Sequence, residues 1–166
     1  FRVLLSGLWN DLKTLDYRVT ELDNEINIIA QSDPAAKRLQ QLRGVGPLIV
    51  TALVAAVGNA EQFANGRQKA ASLGLTPKQH SSGDKDRLLG ITKRGDTYLR
   101  TILIHGARSM IRTAKHKEDR LSQWVTSLAI RRHPNVAAVA LANKTARIAW
   151  AMLMHGTDYE PDRIAA

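Results

Sequence analysis

The chain has no cysteine. That excludes disulfides, cysteine-ligated zinc and thiol nucleophiles together. No apolar run reaches the length of a membrane span, and no signal-peptide layout is present, so a cytoplasmic, nucleoid-associated location is expected. Aromatic side chains are few, with two Phe, three Trp and three Tyr in 166 residues. Such scarcity argues against reading single strands by base stacking. No helix-turn-helix spacing, zinc-finger ligand set or other metal site is evident. The opening FRVLLSGLWNDL lacks an initiator methionine and reads as continuing from a preceding segment.

Acidic charge is also scarce, 15 Asp and Glu against 24 Lys and Arg, for a net +9. Its placement is uneven. Residues 1–33 hold six carboxylates against three basic groups, which leaves that segment at −3 and the other 133 residues at +12. A concentrated positive field favours a polyanionic partner, because each neutralised phosphate releases condensed counterions. Nucleic acid is the expected partner class. The bland alternative is a basic ribosome-associated or simply soluble protein.

Residues 1–33 read as a coiled-coil helix. Phe1, Leu5, Leu8, Leu12, Leu15, Val19, Leu22, Ile26 and Ile29 recur in alternating steps of four and three. That is an a/d seam over four heptads, and its narrowness predicts self-association as a homo-oligomer rather than packing on its own domain alone. Asp33-Pro34 ends the pattern.

Residues 34–157 read as a compact, mainly α domain. In LQQLRGVGPLIVTALVAAVG a short helix ending near Arg43 meets Gly44 and Gly46, and Pro47 opens an apolar helix. This fits a helix-hairpin-helix-like element that grips a nucleic-acid backbone through its amides, although a purely structural αα-hairpin needs glycines as well. A short helix over 66–73 leads to the loop TPKQHSSGDKDRLLGITKRGD, with a short hairpin possible around 88–91. A long helix follows over 97–115. Leu99, Ile102, Leu103, Ala107 and Met110 make its buried face, and Arg100, Arg108, Arg112 and Lys115 a neighbouring basic arc. Another short helix, an Ala-rich last helix ending at Gly156 and a poorly ordered tail over 158–166 complete the chain.

The hydroxyls in this loop stand out. Ser82 precedes Gly83, which lets the backbone turn and exposes Oγ. Lys85, Arg87, Lys93, Arg94 and Arg100 are near enough in sequence to converge on a phosphate. A Ser-Gly pair is more commonly a turn that caps a nearby amide, and Ser81 is the rival position. His80 is a conceivable base, while His105 fits packing. Lys144 and Arg147 fit either phosphate contact or solvation of the last helix.

The stretches LRGVGPLIVTALVAAVG, ASLGLTPKQHSSGDKDRLLGITKRGDTYLRTILIHGARS and ANKTARIAWAML resemble, in order and spacing, the C-terminal half of the IS110 insertion-sequence transposases, the bridge-RNA-guided serine recombinases, and within them the IS1111 group. The resemblance spans nearly everything from Leu39 to Met154. It implies a DNA recombinase in which Ser82 is the nucleophile and forms a phosphoserine intermediate. An upstream RuvC-like domain would supply the acidic residues that bind Mg²⁺, and the heptad helix would match the family's coiled-coil connector. It also implies a structured guide RNA as partner, and inactivity of this portion alone. Two positions depart from the family pattern: Asp84 and Leu89 stand where glycines are common. A non-catalytic module whose serine loop only docks on backbone is the rival reading.

Overall fold

The heptad ladder folds as one uninterrupted helix, α1 (Arg2–Ser32), in the computed structural model, which describes residues 1–80 and 87–161. At 1.5 Å per residue it is about 46 Å long. Only its last turns touch the rest of the chain: Ala30 is buried, Ile26 is half-buried, and α1 packs there on α2 (Pro34–Leu39) and α3 (Pro47–Val57). The other seam residues stay in solvent, from Leu12 at 48% exposed to Leu8 at 66% and Phe1 at 92%. Helix α1 stops where Asp33 turns extended, and the Asp33 carboxylate then accepts from the Ala35 amide at 2.7 Å. Pro34 at the first helical position completes the start of α2 (Pro34–Leu39).

The body is built around its last helix, α7 (Pro134–His155). Its buried face is mostly alanine, with Ala137, Ala138, Ala142, Ala146 and Ala149 beside Leu141 and Met152. Small side chains let neighbours approach closely, and α2, α4 (Gly66–Ser72), α5 (Thr97–Ala114) and α6 (Arg120–Arg131) all pack on it. Leu39, Val50, Leu53, Leu73, Leu99, Leu103 and Val125 fill the space between these helices. The expected face of α5 is buried at Leu99, Leu103, Ala107 and Met110, with Ile102 at its margin. Gly156, at φ +62°, closes α7 in the left-handed conformation that glycine tolerates.

Helix α2 ends at Leu39, four residues before Arg43, and the chain then turns into α3 (Pro47–Val57). Gly44, at φ +76°, lies backbone to backbone against Gly106 in the middle of α5. A Cβ on either glycine would collide with the other's carbonyl oxygen. Nor does the tail begin loosely. The Tyr159 amide donates to Gln41 Oε1 at 2.7 Å and Gln41 Nε2 donates to Asp158 at 3.0 Å, which docks the segment after α7 on the α2–α3 turn. Residues 162–166 lie outside the described residues. Among the described residues no helix is long and apolar enough to cross a membrane.

Candidate nucleic-acid interface

Between α4 and α5 the chain forms an antiparallel hairpin of β1 (Pro77–Gln79) and β2 (Leu88–Ile91), pairing Pro77 with Ile91 and Gln79 with Leu88. Its ladder runs further at both ends. The His80 amide donates to the Arg87 carbonyl at 3.0 Å, the Thr92 amide to Thr76 at 2.9 Å, and the Lys93 amide to Gly74 at 3.2 Å. Ser82, its rival Ser81, and Lys85 fall between His80 and Arg87, outside the described residues. The two chain ends that carry them are therefore hydrogen bonded to each other.

The root of this hairpin is rigid. Gly74 (φ +67°) and Gly95 (φ +86°) take left-handed conformations, and each runs against backbone: Gly74 against Arg94, Gly95 against Ser72. Lys93 is left-handed as well, at φ +57°. That conformation costs a non-glycine residue about 1 kcal/mol and persists where surroundings enforce it. Here the enforcing bond is that of the Lys93 amide to Gly74. Asp96 then caps α5 by accepting from the Leu99 amide at 2.9 Å.

Arg100 sits elsewhere than on the exposed basic arc. Only 8% of it is exposed, and its guanidinium turns inward. It donates to the Leu73 carbonyl at the end of α4 (3.1 Å), to the Thr97 hydroxyl (3.1 Å) and to the Asp96 carbonyl (3.4 Å). The side chain thus ties the exit of α4 to the entrance of α5, which are the two stems of the hairpin. Arg87, Lys93 and Arg94 are exposed around it. Arg108, eight residues further along α5, is exposed and bonds Asn135 at 3.1 Å.

Lys144 and Arg147 stand one turn apart on α7. The Lys144 ammonium lies 4.8 Å from the centre of the Trp124 ring, and its pKa is lowered by burial and then by the neighbouring Arg147 charge. Gly46 is exposed at the cap of α3, whereas Gly44 is committed to the Gly106 crossing.

Sequence reasoning passed over Lys69. It is buried beneath the hairpin root, its ammonium 4.6 Å from the Phe63 ring centre. Burial lowers its pKa, and the Asp96 carboxylate opposes that shift. The signal was readable: Gly66, Lys69, Ala70 and Leu73 follow the i, i+3, i+4, i+7 spacing of one buried face. Arg43 pairs with Asp119. Burial would raise the Asp119 pKa, but hydrogen bonds from the Ser122 hydroxyl and amide, with the Arg43 charge, hold it below the usual value.

Residues 36–122, from α2 to the start of α6, match the model of the transposase IS116/IS110/IS902 family. Over 158 residues the chain is 49% identical to a probable family 20 transposase of Pseudomonas aeruginosa, which covers 95% of this chain and 47% of that protein. It is 44% identical over 156 residues to the IS1111A transposase of Coxiella burnetii, covering 94% and 43% respectively. With the IS1328 transposase of Yersinia enterocolitica the figures are 37% over 154 residues, 93% and 46%. The chain spans about half the length of the curated relatives it matches.

Proposed function

Because the chain belongs to the IS116/IS110/IS902 family of transposases, we propose that it binds DNA and delivers Ser82 as the nucleophile of strand cleavage and exchange. The observation that carries this reading is the hairpin. Its stems are locked by Gly74, Gly95 and Arg100, its end is closed by the His80–Arg87 bond, and exposed Lys78, Arg87, Lys93 and Arg94 surround it. Cations on such stems can clamp the non-bridging oxygens of a phosphodiester.

In this reaction Ser82 Oγ bonds to phosphorus while the bond from phosphorus to one deoxyribose oxygen breaks. The serine proton passes to a base and the leaving oxygen takes one up. One phosphodiester replaces another, so a free strand end reverses the step without external energy. Lys85 would join Arg87, Lys93 and Arg94 at the phosphate, with Arg108, Lys144, Arg147 and the amides about Gly46 gripping backbone further out. Among the described residues no group of three His, Asp or Glu could hold a metal ion. In this reading Mg²⁺ belongs to a RuvC-like domain outside this chain, and a structured guide RNA chooses the target. The exposed α1 seam joins protomers.

Recombination of a donor and target duplex by a full-length transposase carrying this chain tests the reading. Ser82→Ala is expected to abolish product and Ser81→Ala to retain it. Full product from Ser82→Ala would leave the hairpin as a docking element and remove its chemical role.

A further inference from the structure

A groove of about 740 Å³ opens along the outer part of α7, between the start of α4 and the docked tail. Lys144, Arg147 and Arg67 supply its positive charge, and Ile148, Trp150 and Tyr159 its apolar surface. We propose that this groove holds an unpaired nucleic-acid strand, with phosphates on Lys144 and Arg147 and a base laid against Trp150 and Tyr159. The inference deepens the transposase reading and rests on it.

Three observations lead there. The first is uncompensated charge. Lys144 and Arg147 lie one helical turn apart, close enough for each to oppose the other's charge, and neither forms an ion pair among the described residues. An anion between them relieves that repulsion. Carboxylates line the far wall, at Asp158 and Glu160, and against Arg67, Lys144 and Arg147 they leave the groove with a surplus of one positive charge.

The second is pre-positioning. The Lys144 ammonium rests over Trp124, and the backbone of Arg147 is fixed against Gly66, whose Cβ-less surface lets α4 approach it. Trp150 is fixed too, its Nε1 donating to the Ala60 carbonyl at 3.0 Å. Groups already in place lose little entropy when a ligand binds.

The third is the pairing of aromatic floor with cationic rim, the combination that suits a strand whose bases are free to stack. A duplex keeps its bases inside and can use only the rim. The aromatic scarcity of the sequence hides this, because three of the five Phe, Trp and Tyr rings beyond residue 33, Trp124, Trp150 and Tyr159, serve one region. Continuity with the hairpin adds to the case. Asn143, the residue before Lys144, donates to the Leu75 carbonyl at the hairpin base at 3.1 Å. Arg147 is four residues further, about 6 Å along the helix. A strand freed at the hairpin meets this groove next.

The test measures binding of the chain to fluorescent single strands of about twelve nucleotides, one of thymidine and one of uridine, and to a duplex of equal length. K144Q with R147Q is expected to weaken single-strand binding at least tenfold at low salt. The slope of log affinity on log salt should fall by about 1.4, two phosphates at roughly 0.7 each. The duplex, which can use only the rim and keeps its contacts elsewhere, should lose clearly less than the single strand, and K37Q, exposed on α2, should change neither. The preferred sugar identifies whether the strand is DNA or RNA. Photocrosslinking with 5-iodouracil strands should map to Trp150 or Tyr159. Equal losses on strand and duplex, no loss, or crosslinks confined to other peptides would overturn the groove. Each of those results with Ser82 still essential for recombination would overturn this inference alone.

Discussion

Replacing Arg100 with methionine separates the two roles a guanidinium beside this hairpin can have. Methionine keeps the apolar stem and removes the donors. In the structure the Leu73 carbonyl and the Thr97 hydroxyl then lose their guanidinium partner, while the Asp96 carbonyl keeps the Arg100 amide. Each hydrogen bond from a charged group contributes about 1.5–3 kcal/mol. The 3.4 Å contact is weak, and the Thr97 hydroxyl can rotate to another partner, so the expected loss is about 3 kcal/mol rather than the full sum. In a chain of this size that lowers Tm by roughly 6–12 °C. Urea and thermal unfolding followed by circular dichroism would read it. The second readout is DNA affinity of the folded variant against salt. A buried brace leaves the slope unchanged, whereas loss of one duplex phosphate contact flattens it by about 0.9. A variant that unfolds like the parent but binds DNA with a flatter slope would refute the brace and return Arg100 to the phosphate.

Three other variants carry signs that distinguish this packing from plausible alternatives. Gly106→Ala should gain up to about 1 kcal/mol of helix propensity, yet the Gly44 carbonyl occupies the methyl's place, so urea unfolding should show a net loss of about 2 kcal/mol; a stabilised variant would contradict the crossing. Lys69→Met should be more stable than the parent at pH 7, since a desolvated ammonium costs stability while protonated. Because burial lowers the folded pKa of Lys69, that advantage should shrink as pH rises from this lowered value toward that of free lysine, near 10.4; an advantage that grows with pH would refute the assignment. Leu12→Lys with Leu15→Lys should shift the chain from oligomer to monomer in sedimentation without altering unfolding of the body, because both side chains are exposed in α1; an unchanged oligomer would remove the seam from assembly.

What the sequence makes legible here is local. The Asp33-Pro34 break, the Asp96 cap, the apolar face of α5 and the alanine face of α7 each follow from spacing within a few residues. The hairpin at Leu88 to Ile91 follows from its glycines and its basic, turn-rich flanks. Contacts between distant segments are what spacing does not reveal. Gly44 and Gly106 are 62 positions apart, and nothing local to Gly44 distinguishes a backbone crossing from an amide surface. Arg100 is similar. It shares a face with Leu103 and Ala107, but its charge assigns it to the basic arc until α4 is seen to end with an open carbonyl above it. The docking of Asp158 and Tyr159 on Gln41 is equally non-local, and the groove it helps form was therefore hidden. The nucleophile itself rests on family resemblance: a Ser-Gly pair in a polar loop is ordinary turn chemistry by its composition alone.

The central claim is most directly tested on this chain joined to a RuvC-like half, with guide RNA and a donor duplex, stopped during strand exchange, digested and examined by mass spectrometry. The account predicts a nucleotide esterified to Ser82 Oγ. A cleaved strand with Ser82 unmodified, or with the nucleotide on Ser81, would contradict it.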